Sequence, residues 1–251
     1  MHIARVILSA AVLGAILLSA PAEAAPMSIT EALADAARPE EQRAVDARRK
    51  PAEILALTGV KAGDRVADVG PGGGYYTRLL SRMVGESGKV YAFNPDWVIK
   101  MFPKAGELAG KLAAEGYTNV EPRVQPMAEI AFEAPLDLVF ISQLYHDQHW
   151  QRVDIARMNA AIWRALKPGG VFFIIDHRAP AGTTDAEIAN VHRIDPAVVQ
   201  REVEAAGFVL DTASDVLRNA ADPLTANVFD ASIKGRTSQF VLKFRKPLQK
   251  P

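Results

Sequence analysis

The residues with the clearest chemical potential lie between Val66 and Thr77. A short apolar segment there runs into a glycine-rich turn, and an apparent helix begins at Tyr75. Because glycine accepts positive φ angles and has no Cβ, a ligand can lie directly against such a backbone. The helix that follows offers free N–H groups and the positive end of its dipole. The stretch therefore predicts a site for a nucleotide-type cofactor.

The glycine spacing distinguishes between kinds of cofactor site. A dinucleotide fingerprint has its third glycine where this chain has Tyr75, which leaves a nicotinamide-dependent oxidoreductase only as an alternative. A phosphate-binding P-loop needs Gly-Lys-Ser or Gly-Lys-Thr, and this turn has neither. The order Asp68, Gly70, Gly72, Gly74 resembles instead the first motif of the class I S-adenosylmethionine (SAM) methyltransferases.

A polar and aromatic cluster, Tyr145-His146-Asp147, follows an apolar stretch at residues 136–142. Ligands of open α/β sheets bind beyond the carboxyl ends of the strands, so this cluster is the predicted substrate site. His146 or Tyr145 could remove a proton from an oxygen or nitrogen nucleophile, with Asp147 orienting the imidazole. The alternative is that the three residues only begin a helix and satisfy its N-terminal donors.

Histidines near this cluster raise the question of a metal site. His146, Asp147 and His149, joined by His177 or His192, would supply nitrogen and oxygen ligands. Their spacing matches no established pattern of metal ligands. The sequence therefore predicts no metal.

The elements that must position these residues alternate between strand and helix from Arg65 onward. Strands are predicted at residues 65–69, 89–93, 120–125, 136–142, 171–176, 208–213 and 239–244. Their alternation with helices predicts an α/β fold with a Rossmann-like, doubly wound seven-stranded sheet. The last two strands have no helix between them and predict an antiparallel hairpin at the C-terminal edge. Lys167-Pro168-Gly169-Gly170 is predicted to end a helix and turn into the fifth strand.

The N-terminus has the pattern of a secretory signal peptide at residues 1–24. Arg5 precedes an apolar stretch from Val6 to Leu18, and Ala22-Glu23-Ala24 fits a cleavage site. That stretch is shorter than the roughly 20 residues of a membrane-spanning helix. Cleavage near Ala24/Ala25 and export to the periplasm are therefore predicted, with an uncleaved anchor as the alternative. Residues 25–58 are a predicted helical segment, and residues 59–247 are the predicted main domain.

The bulk composition excludes some classes of function. The 29 basic and 29 acidic residues give a formal net charge of zero, which argues against electrostatic capture of nucleic acid or anionic membranes. The basic run Arg48-Arg49-Lys50 is interpreted as solvated surface. The absence of cysteine excludes cysteine nucleophiles and thiolate metal ligands. The predicted partner is a small-molecule substrate, without stable membrane insertion after signal cleavage, and the oligomeric state does not follow from the sequence.

Over residues 38–247 the chain resembles a family of bacterial SAM-dependent methyltransferases that are often exported. It is more distantly similar to the ubiquinone and menaquinone C-methyltransferases. Besides the glycine turn and Tyr145-His146-Asp147, the runs 166–170 and 192–195 support the resemblance. The resemblance implies SAM as the cofactor, with Tyr145, His146 and Asp147 toward the substrate and His146 as the base. It also implies a set of cofactor-binding residues: Asp68, Gly70, Gly72, Gly74, Asn94, Asp96 and Met127.

Two of these positions depart from the family pattern. Asn94 stands where these enzymes usually have an acid that binds both ribose hydroxyls, and Asp96 could reach the ribose instead. Met127 cannot accept a strong hydrogen bond from the adenine amino group. The predicted function is SAM-dependent methyl transfer to an unidentified small-molecule acceptor. The alternative is an exported protein that keeps the fold and binds a small ligand without catalysis, because SAM is made in the cytosol.

Overall fold

The computed structural model describes residues 25–248, so the predicted signal peptide lies outside the described residues. A single sheet of seven strands forms the centre of this part of the chain. The strands are β1 (Arg65–Val69), β2 (Lys89–Pro95), β3 (Val120–Gln125), β4 (Leu136–Ser142), β5 (Leu166–His177), β6 (Val209–Ser214) and β7 (Gln239–Arg245). Their order in the sheet is β3-β2-β1-β4-β5-β7-β6.

Strand directions confirm the predicted fold class. The first five strands pair in parallel, whereas β7 runs antiparallel to both β5 and β6. The chain inserts β7 between β5 and β6, so that β6 is the edge strand of the predicted antiparallel hairpin. The start of β7 therefore lies at the same edge of the sheet as the carboxyl ends of β1 to β5. The connection at residues 215–238 is consequently brought to that edge too.

Helices cover both faces of the sheet. They are α1 (Ile29–Ala34), α2 (Glu40–Arg43), α3 (Asp46–Arg49), α4 (Pro51–Thr58), α5 (Tyr75–Val84), α6 (Asp96–Met101), α7 (Leu108–Ala114), α8 (Tyr145–Trp150), α9 (Ile155–Ala165), α10 (Asp185–Val191) and α11 (Pro196–Ala205). Within residues 25–248, no helix combines the length and apolar character that crossing a bilayer requires.

The core consists of two apolar layers, one on each face of the sheet. Along β4, Leu138 and Phe140 pack with α1, α4, α5 and α7, whereas Val139 and Ile141 pack with α9 and α11. Because successive residues point to opposite faces, a strand buried on both sides needs a nearly continuous apolar run. This requirement explains why the central strands were recognisable from the sequence. The predicted helical segment at 25–58 contributes Ala32, Ile54 and Leu55 to the layer that contains α5.

The segment Lys167-Pro168-Gly169-Gly170 differs from its prediction. It is not a turn before the fifth strand but an irregular first part of β5, which begins at Leu166. Leu136 pairs with Leu166 and Leu138 pairs with Val171, so the register shifts across these four residues. Gly169, with φ at +78°, donates its N–H to the carbonyl of Lys246 beyond β7. Pairing with the neighbouring strands thus outweighs the local turn signal.

A buried ion pair anchors the connection at residues 215–238. Arg193 and Asp222 are both fully buried at their side chains, and Nη1 of Arg193 lies 2.8 Å from Oδ2 of Asp222. Arg193 also donates from Nε to the carbonyl of Ala226 at 2.8 Å. The connection is thereby held over the carboxyl edge of the sheet, where the candidate residues gather.

Candidate functional site

A cleft of about 690 Å³ opens at the carboxyl ends of β1, β2 and β4. Its volume falls in the range of small-molecule and cofactor sites. Much of its lining is apolar, from Trp97, Val98, Met101, Phe102, Leu144, Trp150 and Phe229. The polar side chains that line it are Asn94, Lys104, Asp147 and His192, and the backbone of Gly70 and Gly72 completes it. The sequence had indicated Asn94 and Asp147 for this site, but not Trp97 or Phe229.

The glycine turn presents bare backbone to the cleft at Gly72. Its φ is +54°, and a Cβ added there would meet no atom within 4 Å. At Gly70, φ is +68° and an added Cβ would come within 2.5 Å of Leu144. Gly70 also donates its N–H to the carbonyl of Phe93, which ties the turn to β2. Gly72 is therefore free to contact a ligand, whereas Gly70 is needed for packing, and Gly74 begins α5 without lining the cleft.

Asp68 lies beneath this turn and does not line the cleft. Its side chain is buried and accepts a hydrogen bond from Oγ1 of Thr77 at 2.7 Å. Burial raises the pKa of Asp68 to about 6. In this arrangement the carboxyl group joins the end of β1 to the first turn of α5. Direct contact between Asp68 and a cofactor stays a prediction.

Of the three further residues implied for cofactor binding, only Asn94 reaches the cleft. Its side chain is buried, Nδ2 donates to the carbonyl of Ala105 at 3.3 Å, and Oδ1 has no hydrogen-bond partner among the described residues. Asp96 accepts a hydrogen bond from Lys100 at 2.6 Å one turn along α6. Met127 is buried in the apolar layer on the α9 side of the sheet. In place of Asp96, its neighbours Trp97 and Val98 on α6 line the cleft.

Tyr145, His146 and Asp147 form the first turn of α8, and their side chains have different surroundings. Tyr145 is fully buried in the core, where it donates to Glu202 at 3.0 Å and accepts from Asn159 at 2.9 Å. Burial and the Glu202 carboxylate raise the pKa of Tyr145. Only Asp147 of the three predicted catalytic residues lines the cleft.

The environment of His146 does not suit the predicted role of a base. Its Nδ1 lies 2.7 Å from Oδ1 of the fully buried Asp176, and its Nε2 lies 3.0 Å from Oδ1 of Asp147. Burial acts to lower the pKa of His146, but the two carboxylates outweigh it and raise the pKa to about 10. An imidazole with a proton on each nitrogen has no lone pair with which to accept another.

His192 has the geometry that the sequence had suggested for His146. It lines the cleft, and its Nδ1 lies 3.3 Å from Oδ1 of Asp147. Its backbone is left-handed, with φ at +54°, an uncommon conformation for a residue other than glycine. Although burial favours the neutral form of Asp147, hydrogen bonds from His146, Trp150 and His192 lower its pKa. The cleft is therefore bordered by an ionised carboxylate that fixes one nitrogen of an imidazole.

The donor atoms of His146, Asp147 and His192 all lie within 4.8 Å of one another, close enough for a metal ion. The hydrogen bonds between them already account for this proximity. The other two histidines of the sequence-based alternative have different partners. His149 contacts Asp185 and Glu202, and His177 contacts Thr237. The absence of a metal stays a prediction.

Comparisons with known proteins find similarity to methyltransferases. Residues 66–170 match the family model described as a methyltransferase domain. A protein-L-isoaspartate O-methyltransferase from Methanococcus maripaludis is 27% identical over 149 residues, which cover 59% of this chain and 60% of that protein. The chain thus spans about three fifths of the length of this curated relative.

Solved structures share the same architecture. A SAM-dependent methyltransferase from Aquifex aeolicus aligns with 88% of this chain and 99% of its own, at a TM-score of 0.57 and 23% identity. The [4+2]-cyclase SpnF aligns with 81% of this chain and 82% of its own, at a TM-score of 0.60 and 18% identity. These similarities establish the fold, and the second shows that the fold also occurs in a protein named for a different reaction.

Proposed function

Since the chain has the fold of the class I SAM-dependent methyltransferases, with a methyltransferase domain matched at residues 66–170, we propose that it transfers a methyl group from SAM to a small-molecule acceptor. The observation that carries this proposal is the pairing of Gly72 and Asn94 in one cleft. Open backbone at Gly72 and a buried acceptor on Asn94 that has no partner within residues 25–248 are both features that a nucleoside ligand would complete.

The residues of the cleft fit SAM well. Asn94 Oδ1 would accept a hydrogen bond from a ribose hydroxyl, while Trp97 and Val98 offer apolar surface to an adenine ring. When bound, SAM supplies a methyl group that is already electrophilic because it is attached to a positively charged sulfur. The protein therefore needs to position the acceptor and accept its proton. We assign the proton-accepting role to His192, oriented by Asp147, and not to His146.

The nicotinamide alternative fits less well. Tyr75 occupies the position of the third glycine of a dinucleotide site, and its hydroxyl donates to Asp46 at 2.6 Å. The Arg38 guanidinium binds the same carboxylate at 2.7 Å. Tyr75 is thus built into a contact between α3 and α5, at the position where that motif has a glycine for close packing of helix and strand.

Calorimetric titration of the purified protein with SAM, S-adenosylhomocysteine and NADH tests the proposal. We expect micromolar affinity for the first two ligands and none for NADH. Replacing Asn94 by Ala should weaken the binding of S-adenosylhomocysteine about tenfold, because the loss of one hydrogen bond to a buried group changes the affinity by about that factor. The exposed Asn190→Ala is the matched control and should bind normally.

Once an acceptor is found, His192→Gln should lose turnover and keep its affinity for S-adenosylhomocysteine.

A folded protein that binds neither SAM nor S-adenosylhomocysteine would favour the second candidate, an exported protein that binds another small ligand. The observation that favours this candidate is Asn94 itself, which stands where an acid is usual in the family resembled.

Both candidates share the proposed export to the periplasm. Mass spectrometry of the protein from its native cell should find a chain that begins near Ala25, and an intact Met1 would contradict cleavage and indicate an uncleaved anchor or a cytosolic protein.

A further inference from the structure

A second hollow, of about 300 Å³, lies at the same edge of the sheet as the cleft. We call it the basic hollow, because five cationic side chains line it: Arg48, Arg49, Lys50, Arg218 and Arg236. The first three end α3 and lead into α4, whereas the other two belong to the connection between β6 and β7. Gln143, directly after β4, also lines it.

The positive charge of the basic hollow is only partly balanced by neighbouring carboxylates. Within residues 25–248, none of the side chains that line it is acidic. Asp46 pairs with Arg38 at 2.7 Å, outside the hollow. Asp215 pairs with Arg178 at 2.7 Å and offsets part of the charge of Arg218, whose Nη1 lies 3.9 Å from its Oδ2. In a chain with no net charge, five cations around one concavity create a local positive potential that attracts anions.

Hydrogen bonds from the cations of one wall reach the backbone of the other wall. Lys50 donates from Nζ to the carbonyl of Val216 at 2.8 Å, and Arg48 donates from Nη1 to the carbonyl of Gly235 at 3.2 Å. The Arg49 guanidinium lies 4.6 Å from the ring centre of Tyr75, and its Nε is buried without a hydrogen-bond partner among the described residues. The walls are therefore joined and ordered before any ligand arrives, which lowers the entropic cost of binding.

Backbone strain also concentrates here. Lys50 and Gln143 both have left-handed backbones, with φ at +45° and +58°. Such conformations are strained in residues other than glycine, and they cluster at functional sites. Although strain alone assigns no ligand, both residues line the same positively charged concavity.

The basic hollow and the cleft meet at the end of β4. Gln143 lines the hollow, whereas the next residue, Leu144, lines the cleft and contacts the position of Gly70. A molecule in the hollow would therefore lie next to the glycine turn. Arginine is suited to carboxylate and phosphate groups because its planar fork donates two parallel hydrogen bonds.

We propose that the basic hollow binds the methyl acceptor, and that this acceptor carries a carboxylate or phosphate group. This inference rests on the proposed function, but the anion site can be tested without catalysis. An anion held by the arginines would fix one end of the acceptor and direct its nucleophilic end toward the cleft.

Titration with inorganic phosphate tests the anion site, with and without saturating S-adenosylhomocysteine. The ionic strength is held at about 0.15 M, which screens attraction beyond roughly 8 Å. Arg218→Gln/Arg236→Gln removes two exposed cations of the hollow. Arg157→Gln/Arg201→Gln removes the same charge from exposed positions on α9 and α11 and is the matched control. We expect phosphate to bind the wild type and the control alike, and the hollow variant about tenfold more weakly.

The outcomes separate the two proposals. Equal phosphate binding by all three proteins, or none by the wild type, would overturn the anion site. The hollow variant could instead bind S-adenosylhomocysteine more weakly than the wild type while its affinity for 5′-methylthioadenosine is unchanged. This result would show that the hollow holds the amino-acid carboxylate of the cofactor, and it would overturn the acceptor assignment. Arginine-dependent phosphate binding by a protein that does not bind S-adenosylhomocysteine would refute the methyltransferase function and leave the anion site standing.

Discussion

Gly72→Val should abolish cofactor binding while the protein remains folded. The backbone of Gly72 has φ at +54°, which a β-branched residue adopts only with strain. Since no atom lies within 4 Å of the position of its Cβ, the valine side chain would extend into open space at the cleft and not into the core. We expect affinity for S-adenosylhomocysteine to fall by about a hundredfold or more, equivalent to roughly 3 kcal/mol.

Gly59→Val provides the matched control. Gly59 has φ at +71°, and its Cβ position is likewise free of atoms within 4 Å, but it ends α4 and does not line the cleft. Both variants should therefore lose similar stability in thermal unfolding, and only Gly72→Val should lose binding in calorimetry. Normal binding by a folded Gly72→Val protein would remove the glycine turn from the cofactor site.

The fold was predictable because its central strands are buried on both faces. A strand between two apolar layers must itself be apolar at nearly every position, and this requirement leaves a continuous pattern in the sequence, as at Leu138, Val139, Phe140 and Ile141. The start of β5 was not predictable from local signals. Lys167-Pro168-Gly169-Gly170 has the composition of a turn, and only pairing with distant residues near β4 and β7 makes it part of a strand.

The site was only partly predictable, because side-chain direction depends on the exact phase of each element. Tyr145, His146 and Asp147 are consecutive on a helix, so their side chains leave the axis about 100° apart and cannot share one environment. One side chain enters the core, one meets Asp176 and one borders the cleft. Asn94 lies at the cleft because it is at the carboxyl end of a parallel strand, where the fold itself determines the position, and its role in binding stays a prediction.

The basic hollow shows a different limit of sequence analysis. The run Arg48-Arg49-Lys50 was interpreted as solvated surface, which is the ordinary outcome for three consecutive cations. Its partners, Arg218 and Arg236, are distant in sequence and reach it only because β7 enters the sheet antiparallel beside β5. A concentration of charge assembled from separate segments leaves no local pattern that could reveal it.

The free energy of unfolding of the wild type should fall as the pH rises from 6.5 to 10, and His146→Gln should lack most of this decrease. The carboxylates of Asp176 and Asp147 raise the pKa of His146 to about 10 against the opposing effect of burial, compared with an ordinary value near 6.5. A raised pKa means that the folded state holds the proton more tightly than the unfolded chain. This contribution is therefore complete below about pH 6.5 and is lost as the pH rises toward 10. Urea unfolding at several pH values between 6.5 and 10 measures how the free energy of unfolding changes with pH, which we call the alkaline slope.

The variant should also be less stable than the wild type near neutral pH, by about 3–5 kcal/mol, because Asp176 would remain buried without its cationic partner. His177→Gln is the control, since burial lowers the pKa of His177 to about 4 and that ring titrates only under acidic conditions. A small alkaline slope will persist from His149, whose pKa Glu202 and Asp185 raise even though burial opposes them.

The comparison of slopes also decides between two roles for His146. If His146→Gln loses the alkaline slope, His146 is a fixed cation that orients Asp147, and Asp147 in turn fixes His192 at the cleft. If the wild type and His146→Gln have the same slope, the imidazole is neutral at physiological pH and one of its nitrogens can accept a proton. In that case the argument from charge against His146 would fall, and the assignment of the base to His192 would rest on its position in the cleft.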